Sequence, residues 1–299
     1  MNIAILSRCP NVYTNQRLTQ AARDCHCFAR IIDPLSCALV MQNNGLHLAH
    51  ANQNLELFDA VLPRFGPLWQ RQGGIVVAQL ERHGLVSLNT AKAMALARDK
   101  VQCLQEFEQH AIPFPKSASI ESMHSFDSVL EAEFQFPLLL KLNNSSQGFG
   151  VALFTDKSSL QRRVAELYLD EQAFLIQEFL PEAGGVDFRL LVINNEVVAA
   201  MQRTAAAGDF RANIHLGGQA SAHVASSEEI RLALKASALC GLDVAGVDII
   251  YGKNGPMVLE VNACPGFEAL ERVSGVEVAE KMIEFLRSKN KKANNTKNN

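Results

Sequence analysis

The stretch from Asp243 to Gly266 constrains the fold most strongly, because it reads as a β-hairpin whose apolar strands carry polar residues. Asp248 interrupts one apolar run, and Glu260 and Asn262 interrupt the other. Side chains two residues apart on a strand point to one face, and a turn centred on Asn254 places Asp248 directly opposite Glu260. Buried carboxylates repel one another unless a cation lies between them, and such oxygen ligands are typical of Mg²⁺ or Mn²⁺. The alternative is an ordinary hairpin whose polar face meets water.

Composition is typical of a soluble globular protein and argues against several function classes. The 299 residues are enough for two or three packed domains, and 48% hydrophobic with 20% charged residues is ordinary for such domains. A formal net charge of −3 gives no basic field, so direct nucleic-acid binding is not expected. No apolar run approaches the length of a membrane span. Seven cysteines without a paired spacing favour a reducing cytoplasm over a disulfide framework.

Strand-like and helix-like segments alternate over residues 1–90, which predicts an amino-terminal Rossmann-like α/β domain. The first strand is not followed by a GxGxxG motif, so this domain is not expected to hold a dinucleotide. Arg8 and Arg64 follow predicted strands at the edge where open α/β sheets place ligands. Each arginine either contacts a substrate or bridges elements of the fold.

Residues 91–180 are predicted to form a central lobe with one charged residue at the end of an apolar strand. Lys141 ends that strand immediately before the polar, glycine-rich loop 143–150. A lysine in this place can reach a phosphate while the backbone N–H groups of the loop close over it, although loops of this composition are common. Glu178 interrupts a second apolar strand. Either its backbone and that of Phe179 bind an adenine edge, or its side chain faces solvent.

Residues 181–288 are predicted to form a carboxyl-terminal lobe, followed by a disordered tail over 289–299. Asp187 lies on a predicted strand, and the arginines of this lobe supply positive charge to a slightly acidic chain. Arg203 and Arg211 suit carboxylate or phosphate oxygens of a substrate. The competing explanation for them is ion pairing with Asp187 or Asp209.

At this point the chain resembles the ATP-grasp ligases, and within them the RimK family of α-L-glutamate ligases. The matching segments occur in the family's order and reach from Asn2 to about Arg287: IAILSR, DPLSC, FDAVLPRFG, LNTAKAMALARDK, LLLKLNNSSQGFGV, QEFLPEAGGVDFRLLV, GDFRANIHLGG, DVAGVDII and VLEVNACPGFEALE. The resemblance implies an α/β and α+β ATP-grasp fold. An amino-terminal α/β domain would be followed by two α+β lobes that bind ATP between them.

The resemblance also assigns residues to the nucleotide and to the metal. The ATP phosphates would be contacted by two lysines and a flap: Lys100, Lys141, Ser146, Gly148 and Gly150. The adenine, the ribose and the substrate side would be contacted by Glu178, Phe179, Asp187, Arg211, Ala212 and Asn213. Two Mg²⁺ or Mn²⁺ ions would be bound by Asp248, Glu260 and Asn262, with Glu260 bridging the two.

The implied reaction adds L-glutamate to the carboxyl terminus of a protein through an acylphosphate, and the acceptor would be the sixth protein of the small ribosomal subunit. Arg203 and Arg211 are the candidate catalytic residues that stabilise negative charge. The family pattern often has arginine where this chain has Thr204 and Leu216, and these two departures remove positive charge near the acceptor. Cys264 stands where serine is usual.

The sequence also permits other acceptors and a non-catalytic function. The acceptor could be a small metabolite or a carrier-protein terminus instead of a ribosomal protein. A non-catalytic, ATP-binding regulatory module is the alternative from another class, although such a module would not need all three metal ligands. We expect a cytoplasmic homo-oligomer.

Overall fold

Short apolar strands alternate with helices in the amino-terminal domain, and crossovers of this kind build a parallel sheet. The computed structural model describes residues 1–43, 45–50, 54–120, 122–143 and 150–297. The domain contains β1 (Asn2–Leu6), α1 (Tyr13–Asp24), β2 (Phe28–Ile32), β3 (Cys37–Gln42), β4 (Gly45–His50), β5 (Ala60–Pro63), α2 (Gln70–Arg82) and β6 (Val86–Ser87). The sheet order is β2-β1-β5-β6, all parallel, which confirms the predicted α/β domain. The β3–β4 hairpin was not predicted.

Two consecutive helices lead into the central lobe. They are α3 (Ala91–Arg98) and α4 (Lys100–Gln109). Thr90 caps α3 by accepting a hydrogen bond from Ala93 N, and the Asp99 carboxylate caps α4. The lobe itself contains β7 (Ser117–Ala118), α5 (Met123–Glu133), β8 (Leu138–Leu142), β9 (Val151–Phe154), α6 (Lys157–Leu169) and β10 (Phe174–Glu178). Its antiparallel sheet has the order β7-β10-β8-β9.

The carboxyl-terminal lobe is built on a five-stranded antiparallel sheet with the order β13-β12-β11-β14-β15. Its elements are β11 (Val186–Ile193), β12 (Glu196–Thr204), β13 (Gln219–Ala222), α7 (Ser227–Leu239), β14 (Val244–Gly252), β15 (Gly255–Asn262), α8 (Glu268–Ser274) and α9 (Val278–Lys297). Asn194 and Asn195 both have positive φ in the turn between β11 and β12, as a tight hairpin turn requires.

The buried apolar side chains form three clusters. Two of them are shared by the amino-terminal domain and the carboxyl-terminal lobe, and the third belongs to the central lobe. One cluster joins Leu6 and Val61 of the amino-terminal sheet to Leu190 and Val247 of the carboxyl-terminal sheet. A second cluster makes the same connection on the other faces of these sheets. The central lobe has a separate core, formed by its sheet with α5 and α6, and the buried residues of this core all lie within residues 120–176.

The carboxyl-terminal tail corrects one prediction. Residues 289–299 were predicted to be a disordered tail, but α9 continues to Lys297. The helix is held in this region because the Lys289 ammonium donates hydrogen bonds to Ser87 O at 2.8 Å and to the Asp243 carboxylate at 2.5 Å. Among the described helices, α9 included, none is both long and apolar enough to cross a membrane.

Candidate functional site

A cleft between the central sheet and the carboxyl-terminal sheet collects most of the residues singled out from the sequence. Its wall includes Lys100, Lys141, Glu178, Phe179, Asp187, Arg203, Arg211, Ala212, Asn213, Asp248 and Glu260. Asn262 adjoins this wall through a hydrogen bond to Glu260. Gly150 lies beside β8, where its carbonyl accepts from Leu142 N at 2.9 Å. Ser146 and Gly148 lie outside the described residues.

The β14–β15 hairpin places its polar residues as the sequence predicted, but by a different route. Gly252 pairs with Gly255, so the turn lies between Lys253 and Asn254. A regular ladder from this turn would leave Asp248 opposite Leu259. A bulge between the pairs Ile249–Val258 and Asp248–Glu260 makes Leu259 the extra residue and restores the predicted pairing.

The three predicted metal ligands converge on one face of the sheet. Asn262 Nδ2 lies 3.0 Å from Glu260 Oε1 and 3.4 Å from Asp248 Oδ2. The Asn262 amide therefore donates to both carboxylates, and two carboxylates with one amide are a donor set that fits a hard divalent ion. Among the described residues, no group of three or more His, Cys, Asp or Glu side chains is placed to hold a metal ion.

Arginine side chains surround the Asp248 carboxylate, which corrects the prediction that its buried charge needs a metal ion. The Asp248 carboxylate is 2% exposed and accepts two hydrogen bonds from Arg189, both at 2.7 Å. Arg203 Nη2 lies 2.8 Å from Asp248 Oδ2. Burial alone would raise the pKa of Asp248, but the two guanidinium groups hold it well below its usual range. The protein's own arginines therefore already supply the cations that the buried carboxylate needs.

Arg203 links two acidic residues across neighbouring strands. Its Nε and Nη2 lie 2.6 and 2.8 Å from the two carboxylate oxygens of Asp187, which is its register partner on β11. Arg203 is 3% exposed, and burial is offset by Asp248 and Asp187, which raise its pKa. The ion pair with Asp187 that the sequence left as an alternative is therefore present. Arg189 was not predicted as a site residue, although its position two residues after Asp187 was a usable signal.

The two lysines enter the cleft from the other side. The Lys100 ammonium donates to Leu142 O at 3.1 Å and to Asn143 O at 3.0 Å. Lys141 is 8% exposed, and within the described residues its ammonium forms no hydrogen bond or ion pair. Burial lowers the pKa of Lys141 to about 8, against the opposing effect of the Glu260 carboxylate.

Glu178, which was predicted to bind adenine through its backbone, ends β10 and forms hydrogen bonds with Lys116, the residue before β7. Glu178 Oε1 accepts from Lys116 N at 2.7 Å, and Glu178 N donates to Lys116 O at 2.9 Å. The Glu178 side chain is therefore tied to the backbone instead of being a free surface carboxylate. The Phe179 ring meets the Phe210 ring edge-on, with centroids 5.8 Å apart.

Arg211 lines the cleft, and its guanidinium is paired with Asp209 of the same loop. Its Nε and Nη2 lie 3.0 and 2.8 Å from the Asp209 carboxylate oxygens, and its backbone N donates to the same group at 2.9 Å. These hydrogen bonds lower the pKa of Asp209 to about 2. Asp209 orients the Arg211 guanidinium in the wall of the cleft, so the two explanations for Arg211, ion pairing and substrate contact, are compatible.

Comparisons with known proteins agree with this architecture over the whole chain. Residues 1–94 match the family model of the RimK PreATP-grasp domain, and residues 97–286 match that of the RimK-like ATP-grasp domain. A protein of Aeromonas salmonicida named "Probable alpha-L-glutamate ligase" is 37% identical over 98% of this chain and 99% of its own length. A protein of the same name from Xanthomonas campestris is 41% identical over 96% of this chain and 98% of its own.

Solved structures share the fold at low sequence identity. The RimK domain ATP-grasp protein of Sphaerobacter thermophilus superimposes with a TM-score of 0.74, 23% identity and coverage of 95% of this chain and 99% of that one. The ATP-grasp ligase PsnB complexed with a minimal precursor gives a TM-score of 0.72, 19% identity, and coverage of 96% and 98%. These findings confirm the predicted fold, and the chain belongs to the RimK-like ATP-grasp family of ligases.

Proposed function

We propose that this protein uses ATP to join L-glutamate to the carboxyl terminus of a protein acceptor, releasing ADP and phosphate. The observation that carries the nucleotide assignment is Lys141, a nearly buried ammonium facing the cleft without a partner among the described residues. A buried charge is costly unless it is paired, so an anionic ligand is the expected partner. The names of the relatives from Aeromonas and Xanthomonas support glutamate as the added amino acid.

The nucleotide would lie with its phosphates between the lysines and the acidic hairpin. Lys141 and Lys100 would contact phosphate oxygens, and the flap residues Ser146, Gly148 and Gly150 would close over them. The backbone of Glu178 and Phe179 would bind the adenine edge. Asp187 would contact the ribose through lone pairs that Arg203 leaves unused. Ala212 and Asn213 would line the phosphate and substrate side.

Asp248, Glu260 and Asn262 would hold two Mg²⁺ or Mn²⁺ ions, with Glu260 shared between them. When bound, these ions would neutralise the β- and γ-phosphates during phosphoryl transfer. Arg189 and Arg203 would keep Asp248 ionised and fixed in position, so we assign Arg203 a positioning role. Arg211, whose guanidinium is oriented by Asp209, is the better candidate for contacting developing negative charge.

The proposed chemistry has two steps. An oxygen of the acceptor carboxylate attacks the γ-phosphorus of ATP, which forms an acylphosphate and releases ADP. The glutamate amine then attacks the acyl carbon, an amide bond forms, inorganic phosphate leaves, and the amine proton passes to solvent. Water must be kept away from the acylphosphate, and closure of the cleft over it would do this.

A polypeptide acceptor agrees with two related folds. PsnB has been solved with a precursor peptide, and so has the macrocyclase MdnC of Microcystis aeruginosa, which has a TM-score of 0.69, 14% identity, and coverage of 96% of this chain and 100% of that one. By family resemblance, we propose the sixth protein of the small ribosomal subunit as the acceptor. A homo-oligomeric state and a cytoplasmic location stay predictions.

Mass spectrometry tests the proposal directly. Ribosomal proteins and peptides that copy their carboxyl termini are incubated with the enzyme, ATP, Mg²⁺ and L-glutamate. We expect whole glutamyl increments on one carboxyl terminus, and none with Lys141→Met. An absence of increments on every ribosomal protein would contradict the proposed acceptor. ADP release that requires neither glutamate nor acceptor would contradict ligation and favour a regulatory module.

A further inference from the structure

A second positively charged place lies outside the nucleotide cleft, where the amino-terminal sheet meets the end of the metal-binding hairpin. Arg64 follows β5 at the carboxyl edge of the parallel sheet, and its backbone N donates to Leu6 O at 2.8 Å. Its Nη2 donates to Pro265 O at 2.9 Å. Pro265 follows Asn262 by three residues, which limits their separation to about 10 Å.

Arg64 is only partly satisfied by these contacts. Its Nε is buried and has no hydrogen-bond partner, and the guanidinium pairs with no carboxylate in the described ranges. Burial, reinforced by the neighbouring Arg98 guanidinium, lowers the pKa of Arg64. A buried guanidinium Nε–H without an acceptor is a costly arrangement unless a ligand completes it.

Arg98 brings a second positive charge to the same place without a carboxylate partner in the described chain. Its hydrogen bonds go to neutral groups: Phe65 O, the Gln70 side chain and Cys264 Sγ. The Cys264 thiol in turn donates to Pro63 O at 3.4 Å, beside Arg64. Two like charges held close together point to an anion between or beside them.

The contacts of Pro265 connect this place to the reacting centre. A Cβ atom added to Gly246 would lie 2.8 Å from Pro265 Cβ and 3.6 Å from Arg189 Nε. Arg189 is one of the two arginines that contact the Asp248 carboxylate. Arg64 is thus linked through Pro265 to the strand that carries Asp248, and it does not line the cleft that contains Lys141.

We propose that Arg64, supported by Arg98, binds a non-reacting carboxylate of the incoming glutamate. This inference rests on the proposed function. ATP phosphates belong at the lysines, and the reacting acceptor carboxylate belongs at the acidic hairpin. Glutamate is the substrate that keeps two unreacted carboxylates while its amine attacks, so it requires an additional guanidinium site.

The test is the glutamate dependence of ADP release with the acceptor peptide that gains glutamyl increments in the mass-spectrometric assay. For Arg64→Gln we expect the KM for L-glutamate to rise about tenfold to a hundredfold, as expected for a lost charge-assisted hydrogen bond, with the KM for ATP unchanged. Arg64→Lys should have a KM for glutamate between those of the wild type and Arg64→Gln, because lysine restores the positive charge but not the two parallel hydrogen bonds of a guanidinium. Thermal unfolding of both variants checks that they fold.

Arg8→Gln is the matched control at the same sheet edge. Arg8 already pairs with Asp33 at 3.4 Å and stacks on the Trp69 ring, so its loss should leave the KM for glutamate unchanged. An unchanged KM for glutamate in Arg64→Gln would overturn the inference while wild-type ligation stands. A rise confined to the KM for the acceptor would also overturn it, by assigning the arginine to the acceptor. Failure of the wild type to ligate glutamate would instead overturn the proposed function.

Discussion

The central lobe and the carboxyl-terminal lobe face each other across one cleft, but they are built on different cores. The central lobe packs Phe126, Leu160 and Ile176 into a core of its own. The carboxyl-terminal sheet shares two apolar clusters with the amino-terminal domain, so those two parts are held together through buried side chains. Elements that lack a shared core are free to move as units, which suits a lobe that closes over a nucleotide.

The charges of the cleft follow the same division. On the carboxyl-terminal sheet, Asp187 and Asp248 are matched by Arg203 and Arg189 within the protein. On the central lobe, Lys141 has no such match in the described chain. Asp187 and Asp248 on the side with the shared core are therefore neutralised within the protein, whereas Lys141 on the side with the separate core carries a charge that we assign to the ligand.

The largest test of this contrast is Asp248→Asn. We expect the free energy of unfolding to fall by about 3–5 kcal/mol, because the change leaves the buried Arg203 and the partly buried Arg189 with only the Asp187 carboxylate nearby. Glu260→Gln is the matched variant, since no arginine in the described residues pairs with Glu260. It should change stability by less than about 1 kcal/mol. Urea unfolding measures both, and both should lose Mg²⁺-dependent activity. Equal destabilisation would break the distinction between structural and ligand-binding carboxylates.

The independence of the two cores is tested by Leu160→Ala and Leu190→Ala. Both side chains are fully buried, and each change should cost about 2–5 kcal/mol. Hydrogen exchange should show faster amide exchange over residues 117–178 for Leu160→Ala, with strands β11 to β15 unaffected. Leu190→Ala should accelerate exchange in both the carboxyl-terminal sheet and the amino-terminal sheet. If Leu160→Ala loosened all three sheets equally, the cores would be coupled.

Lys141→Met should separate stability from function. Because folding lowers the pKa of Lys141 from 10.5 to about 8, the unfolded chain binds the proton more tightly, and the charged lysine destabilises the fold at neutral pH. The penalty is full below pH 8 and disappears as the pH approaches 10.5. We expect Lys141→Met to gain up to about 3 kcal/mol of stability at pH 7 and to lose nucleotide binding. A less stable variant would mean that Lys141 has a structural partner.

The sequence predicted the pairing of Asp248 with Glu260, although the ladder reaches it differently. Period-2 alternation placed both carboxylates on one face, and the hairpin confirms it. The turn is displaced by half a residue from Asn254, and the bulge at Leu259 compensates. A bulge leaves no mark in the alternation of an apolar strand, so local patterns could not reveal it.

The partners of the charged residues could not be predicted from local patterns. Asp248 is neutralised by Arg189, 59 positions away in the chain, and only strand order brings them together. The tail was misjudged for a related reason: its composition is polar, but Lys289 is tied to Ser87 and Asp243 by the fold. The fold class followed from the family resemblance and the strand–helix alternation, whereas charge compensation required the tertiary contacts.

The smallest effect is a pH dependence that belongs to the central lobe alone. In the free enzyme Lys141 loses its proton near pH 8, and only the charged form attracts a phosphate. We therefore expect the dissociation constant of a non-hydrolysable ATP analogue to rise about tenfold for each pH unit above 8, measured by calorimetry with Mg²⁺ between pH 7 and pH 9.5.

Lys141→Arg is the control, and its dissociation constant for the analogue should not change with pH, because a guanidinium stays protonated throughout this range. The Asp248 carboxylate stays ionised over the same interval, because Arg189 and Arg203 hold its pKa below the usual range. A profile that rises equally in both proteins would place the titrating group elsewhere in the cleft and would contradict the assignment of Lys141 as the charge reserved for the ligand.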